Sequence, residues 1–203
     1  MKIKKIIVIL LIILTIFLGF WFGKKFFKEE IRPQDEVKVI KEIKDYNYQL
    51  TDNKTLLFTN LFKELIVVLK EEKIDNEQYA SLVSKLFIAD FFDLNSKLSK
   101  DDIGGIQFVH SAIKENFLLN ANETFYKYVK NNFYGDRKQE LPEVKKIDVS
   151  KVDIIEYTYN DYKEPNAYQV NLNWEYTKEL GYQTKAKIIL VFEDKKLSIA
   201  EFE

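Results

Sequence analysis

An uninterrupted apolar run near the start of the chain, from Ile6 to Gly23, most restricts what this sequence can form. It contains no charged residue, and as a helix rising about 1.5 Å per residue it would be about 27 Å long. That length is close to the thickness of a bilayer hydrocarbon core, about 30 Å. Trp21 lies near one end, where interfacial aromatic residues are common. The run predicts a transmembrane anchor, which with its short tail occupies residues 1–27.

Other interpretations of this run fit less well. A cleaved signal peptide needs small residues at the cleavage site, whereas the residues after Ile16 are mostly bulky. A lipoprotein needs a cysteine, and a buried core helix rarely is apolar on all sides with lysines at both ends. Three lysines precede the run, and such a tail is hard to translocate. We therefore expect a cytoplasmic N-terminus and an extracytoplasmic C-terminal domain in the cell membrane.

Composition excludes several classes of function. The chain has no cysteine, which removes disulfides, thiolate metal sites and cysteine nucleophiles. Its 31 basic and 32 acidic residues are interleaved, and Arg32 and Arg137 are the only arginines. Nucleic-acid binding usually needs a basic stripe with arginines that form paired hydrogen bonds, so no nucleic-acid partner is expected. We expect no metal and no cofactor.

Helical periodicity dominates the first half of the domain that follows. Residues 28–50 are predicted to be a spacer with a weak edge strand, and residues 51–203 to be the domain itself. Apolar spacings of three and four predict helices over about 54–72 and 76–93, with Asp75 as the N-cap of the second. A third apolar stripe, from Ile106 to Phe117, predicts another helix that carries His110 on its apolar side.

After residue 136 the period changes from about 3.6 to about 2 residues, which is typical of strands. The segment Ala167 to Thr177 alternates strictly between apolar and polar residues, which predicts a half-buried antiparallel strand. Strands are also predicted over 146–159, 182–192 and 197–202, with turns at Gly181 and Asp194. The fold class is therefore α+β: about three helices packed on a curved antiparallel sheet of three to four strands.

The order helices, then meander, over about 54–203 resembles the cone-shaped α+β fold of the nuclear transport factor 2 superfamily. Some bacterial single-pass proteins with that fold are assembly subunits of type IV secretion and conjugation machines. The strings Asp102–Phe108 and Leu141–Val144 also resemble those of an uncharacterised membrane-anchored bacterial family. This second resemblance implies no known activity.

Few residues suggest chemistry. His110 is the only histidine, so a serine–histidine–acid triad would have to use it, but its apolar setting favours a packed core residue. Asp101 and Asp102 beside a Gly-Gly pair favour helix capping and a tight turn over an anion-binding loop. Asp90 and Asp93 are expected to be solvated or capping. Candidate pocket-lining residues between sheet and helices, which a closed core would equally contain, are Tyr168, Trp174, Tyr176, Tyr182 and His110.

Two functions are compatible with these features. The first is a membrane-anchored, extracytoplasmic interaction or assembly domain without catalytic activity, whose partners are other envelope proteins. A G-x-x-x-G pair at Gly19 and Gly23 also makes homo-oligomers a candidate. The alternative is a small-molecule-binding or sensory domain with an apolar pocket between sheet and helices. An enzyme is not expected, because no acid–base pair is recognisable.

Overall fold

The computed structural model describes residues 38–159 and 162–203. The predicted anchor lies outside these residues, and none of the helices within them combines the length and apolar character needed to cross a membrane. The described part is α+β, as predicted. Its elements are β1 (Val39–Ile43), β2 (Tyr48–Thr51), α1 (Leu56–Val68), α2 (Asn76–Phe91), α3 (Lys114–Glu123), β3 (Val144–Tyr159), β4 (Tyr162–Tyr176), β5 (Lys185–Glu193) and β6 (Lys196–Phe202).

The first two helices begin at side chains that cap them. The Thr55 side chain accepts a hydrogen bond from the Phe58 N–H at the start of α1. Asp75 Oδ1 accepts from the N–H groups of Glu77 and Gln78 at the start of α2, so the predicted N-cap is confirmed. Both helices lie within their predicted ranges. They pack against each other, and α2 also packs on β3, β4 and β6.

The helix predicted from Ile106 to Phe117 is wrong in its first part. Ile106–Phe108 is a 3-10 turn, Val109 is extended, and α3 begins only at Lys114. The chain is drawn toward the sheet here, because Val109 forms a parallel bridge with Ile199 and the His110 N–H donates to the Ile199 carbonyl at 2.9 Å. The apolar spacing therefore reflects contacts with β6 rather than one helical face.

The four-stranded sheet has the order β3-β4-β5-β6 and is antiparallel throughout. The predicted alternation along β4 is confirmed: one side of the strand is buried against the helices, whereas Asn173 on the other side is exposed. The buried side consists of Tyr168, Val170, Leu172 and Trp174. This inner face of the sheet and the helices enclose the main core.

A second, smaller core lies on the outer face of the same sheet. Four residues of β4, β5 and β6 with the opposite strand parity are buried there: Ala167, Ile189, Val191 and Ala200. Ile155 and Tyr157 of β3 pack on them, and the Tyr157 hydroxyl donates to Glu201 Oε2 at 3.0 Å. The far part of the β3–β4 hairpin therefore covers one end of the outer face, and the other end stays open.

The β1–β2 hairpin is attached to the domain by buried tyrosines. The Tyr48 hydroxyl donates to the Leu197 carbonyl at 2.7 Å, and the Leu197 N–H donates to the Tyr79 hydroxyl at 3.0 Å. The two hydroxyls lie 2.9 Å apart. On the exposed side, the Gln107 side chain accepts from the Gln49 N–H and donates to the Gln49 carbonyl, as a neighbouring strand would. The weak edge strand predicted before residue 50 is thus one arm of a docked hairpin.

Candidate functional site

The space between sheet and helices, where a pocket was a candidate, is filled by aromatic rings. Phe92, just after α2, lies 4.5 Å from Trp174 and 5.0 Å from Phe125, measured between ring centroids. Phe91 stacks on Phe87 at 5.2 Å. Rings at these separations are in direct contact. The space between the sheet and the helices is therefore a closed aromatic core at this position rather than an open pocket.

The predicted pocket residues separate into distinct places. Trp174, Tyr176 and Tyr182 follow one another, with centroid distances of 6.5 and 6.4 Å. Tyr168 lies against Phe192 in the middle of β4, about 20 Å along the strand from Trp174 at ~3.4 Å per residue. Only Tyr182 among them contributes to an apolar cavity near the aromatic core, a hollow of about 240 Å³ lined also by Leu94, Phe125, Tyr128, Val129 and Leu141.

His110 does not lie on a helix or deep in the core, contrary to the expectation. Its side chain is 19% exposed, and its ring lies 5.9 Å from that of Tyr159. Nδ1 accepts a hydrogen bond from the Ala112 N–H, and Nε2 lies 3.8 Å from Glu193 Oε1. The neighbouring Ser111 hydroxyl donates to that same Glu193 oxygen. A nucleophilic serine would instead donate to the histidine, so these three residues do not form a triad.

Asp90 is buried rather than solvated and is the centre of a charged cluster. It forms ion pairs with Lys97 at 2.6 Å and Lys54 at 2.8 Å. It also accepts a hydrogen bond from a backbone group, the Gly105 N–H, at 2.8 Å. Burial would raise the pKa of Asp90, but the two lysine charges and their hydrogen bonds outweigh it and hold the pKa well below its ordinary value. Asp90 is therefore ionised and structural.

The Gly-Gly pair serves this cluster. A Cβ on Gly104 would lie 2.2 Å from the Asp90 carbonyl oxygen, and Gly105 has a φ of +75°. Both positions therefore require glycine. The loop presents one N–H group, that of Gly105, to an anion, and that anion is the chain's own Asp90. The Gly104 N–H donates instead to the Tyr126 hydroxyl. Asp102 accepts a hydrogen bond from the Leu98 N–H in the same loop.

Asp93 is also buried, but its pKa is shifted in the opposite direction from that of Asp90. It is 1% exposed at the C-terminal end of α2, and one oxygen accepts from the Ser96 N–H at 3.1 Å. Burial raises the pKa of Asp93 to about 6, and the charge of Glu143 adds to this, although the Ser96 N–H and Lys97 act in the other direction. The apolar stretch around Asp90, from Leu86 to Phe92, was the sequence signal that these acids could be buried.

The open end of the outer sheet face forms a depression of about 720 Å³, to whose lining Leu172, Trp174 and Ala186 also contribute. Asn171 and Asn173 of β4 lie beside Lys185 and Lys187 of β5, and Ser150 of β3 borders them. Among the described residues, the side-chain amides of Asn171 and Asn173 have no hydrogen-bond partner within the chain. Lys187 is paired with Glu203. We name this surface, Ser150, Asn171, Asn173, Lys185 and Lys187, the outer-face depression.

A third cavity, of about 680 Å³, lies between the β1–β2 hairpin and the β5–β6 turn. Lys196 borders it; its ammonium donates to the Gln107 carbonyl at 2.7 Å and lies 4.9 Å from the Tyr48 ring centroid. Its charged lining is mixed in sign: Asp45, Lys114, Glu193, Asp194, Lys195 and Lys196. This balance selects no class of ligand. Within residues 38–159 and 162–203, no group of three or more metal-ligating side chains comes together.

No protein-family model, curated protein or solved structure matches the chain. The resemblance to the nuclear transport factor 2 superfamily therefore stays a prediction.

Proposed function

We propose that this chain is a membrane-anchored, extracytoplasmic interaction domain without catalytic activity, acting in an assembly of the cell envelope. The apolar run from Ile6 to Gly23 supports the anchor. The nuclear transport factor 2 resemblance, which includes assembly subunits, supports the kind of role. The surface that carries the proposal is the outer-face depression.

The observation that carries it is the contrast between the two faces of the sheet. The inner face is packed against helices by contacting rings, which leaves little room for a ligand. The outer-face depression is open and presents two side-chain amides without a partner, beside the exposed Lys185. Solvent-accessible donors and acceptors on a concave surface are groups that a polar protein partner can engage. Binding at this face needs no rearrangement of the core.

The face is a better partner surface than the sheet edge. Among the described residues β3 pairs with β4 alone, so its outer edge is open. However, three register shifts interrupt β3, and it carries charges such as Lys146, Asp148 and Lys151. Bulges and charges are common protections against strand addition. We therefore place the partner on the outer-face depression.

A small-molecule-binding or sensory domain is the second candidate. The 240 Å³ hollow beside Tyr182 is the observation that favours it, because its walls are largely apolar. The volume lies below the usual range for ligand pockets, about 300–1,000 Å³. A panel of lipids and cell-wall fragments tests this candidate. A ligand that raises the melting temperature of the wild type but not of a Tyr182→Trp variant, which fills the hollow, would establish it over the interaction domain.

The location is tested separately from the surface. With a C-terminal tag, external protease should remove the tag from intact cells lacking their outer wall, while the anchor keeps its unprocessed mass. A protected tag would place the domain in the cytoplasm and contradict the proposed topology.

The surface is tested by placing bulk and charge in the depression. The double variant Asn171→Arg/Asn173→Arg should abolish co-purification of partner proteins from detergent-solubilised membranes. The matched control is Asn60→Arg, on the exposed side of α1, which should leave co-purification unchanged. If the double variant and the control co-purify equal amounts of partner protein, and their melting temperatures are unchanged, binding at this face is contradicted.

A further inference from the structure

The loop between α3 and β3 exposes large aromatic side chains. Tyr128 is 76% exposed, Tyr134 79% and Phe133 49%. All three lie within residues 124–139, a stretch that we call the aromatic loop. Three such side chains in one loop are more than scattered surface residues would supply, and they point to contact with another surface.

The aromatic loop is also basic. It contains Lys127, Lys130, Arg137 and Lys138 against the single acid Asp136, a formal charge of +3 (four bases less one acid) in a chain whose net charge is -1. The next acid along the chain, Glu140, is paired with Lys178. Exposed aromatic and basic residues together match an anionic bilayer surface, where rings sit at headgroup level and lysines face acidic headgroups.

The loop holds its exposed shape by specific bonds. The Arg137 guanidinium donates to the carbonyls of Lys97 and Asn95, both at 2.8 Å, and to that of Lys130 at 3.2 Å. Gln139 accepts from the Lys130 N–H and donates to the Tyr128 carbonyl, both at 2.9 Å. A loop ordered in this way loses little conformational freedom when it binds.

Bonded contacts connect the loop to the place where the chain enters the domain. Lys38 pairs with Asp52 through its backbone. Two residues on, Lys54 binds Asp90, which binds Lys97. The Lys97 carbonyl is one of the acceptors of Arg137. The predicted anchor precedes residue 38 in the sequence, and a tethered domain has a raised effective concentration near the bilayer.

We propose that the aromatic loop rests on an anionic lipid bilayer, with Tyr128, Phe133 and Tyr134 at headgroup level and Lys127, Lys130 and Lys138 against acidic headgroups. This inference rests on the proposed anchor. It gives the domain a fixed orientation on the membrane. A protein partner at the same loop is the competing occupant that the experiment separates.

Because the chain lacks cysteine, Tyr134→Cys creates a unique site for a nitroxide label in the full chain. The chain is reconstituted in phosphatidylcholine vesicles with or without phosphatidylglycerol. We expect collisions with lipid-dissolved oxygen at position 134 only when phosphatidylglycerol is present. A label at Val67→Cys, an exposed site on α1, should stay in water in both. Changing Lys127, Lys130 and Lys138 to glutamine should weaken the contact about a hundredfold.

Alkaline extraction of the vesicles tests the anchor separately from the loop. If the chain resists extraction but the label at position 134 stays in water in both kinds of vesicle, the anchor stands and the inference about the loop is overturned. If alkali extracts the chain from the vesicles, the predicted transmembrane anchor is contradicted instead. In that case the loop is tested by adding the chain to the same vesicles and measuring flotation. Flotation that requires both phosphatidylglycerol and the three lysines supports contact between the loop and lipid, and absence of flotation overturns it. Burial of the label only after envelope proteins are added overturns lipid contact in favour of a protein.

Discussion

Asp90 and Asp93 lie three residues apart at the end of α2, and their surroundings change their pKa values in opposite directions. Asp90 has two lysines and a backbone N–H around it, whereas Asp93 has one backbone N–H and a nearby Glu143. A carboxylate at a helix C-terminus is also disfavoured by the helix dipole. Asp90 therefore stabilises the fold when ionised, and Asp93 costs stability when ionised.

The change Asp93→Asn should stabilise the protein at neutral pH by about 2 kcal/mol, because the amide keeps an acceptor for the Ser96 N–H without the buried charge. The pKa of the Asp93 carboxyl is about 6 in the folded protein, against an ordinary value of 3.8. The free energy of unfolding of the wild type therefore falls as pH rises from about 4 to about 6. Denaturant unfolding at a series of pH values should show the gain of the variant growing across that interval. A gain that is the same at pH 4 and pH 7 would contradict the assignment.

The change Asp90→Asn should destabilise the protein by about 3–5 kcal/mol at neutral pH, because Lys97 is left buried without its counter-charge. The low folded pKa means that this contribution is present above the ordinary pKa of 3.8 and is lost as pH falls below it. The same unfolding series measures it. Asp93→Asn is the matched control, and equal effects of the two variants would show that the lysines do not determine the difference.

At the scale of elements, the β3–β4 hairpin supports two cores. Its near part contributes to the inner face, and Ile155 and Tyr157 cover the small core on the outer face. This cover also decides where the outer face stays open, since the outer-face depression begins beyond it along the strands. The hairpin thereby limits the surface available to a partner.

Tyr157→Ala should uncover Ile189 and Val191 and cost about 2 kcal/mol of stability. Hydrogen exchange should then be faster at the far end of the hairpin, over 153–159 and 162–167, than in the rest of the sheet. The control Tyr157→Phe keeps the ring and loses only the bond to Glu201, which should cost about 1 kcal/mol or less. Unchanged exchange in the alanine variant would mean that the hairpin does not cover this face.

Elements with a strong local period were predictable, and those built by long-range contacts were not. α1, α2 and β4 followed from apolar spacing and from the cap at Asp75. The stretch 106–113 also has helical spacing, but its pairing with Ile199 and the left-handed Gly105 lie outside any local pattern. The outer core was not predicted, although the unbroken apolar run Ile188–Phe192 is what burial on both faces of a strand produces. Of the candidate site, the polar side of β4 was predictable, whereas its depth depends on β3 and β5.

At the scale of the molecule, the interior is closed and the chemistry of recognition lies outside. Buried Asp90 and Lys97 form an ion pair, and the aromatic residues fill the space under the sheet. Within the part of the chain that the structure describes, the outer-face depression and the aromatic loop both carry exposed groups that a partner could use. We infer that one binds an envelope protein while the other orients the domain on the membrane.

Site-specific photo-crosslinking in intact cells tests the proposed interaction most directly. A photoreactive residue at position 173, in the outer-face depression, is compared with one at position 60 on α1, where the native residue is also an exposed asparagine. We expect a discrete protein adduct from position 173 and none from position 60. Adducts from position 60 alone, or equal adducts from both positions, would contradict an interaction domain that binds through the outer face of its sheet.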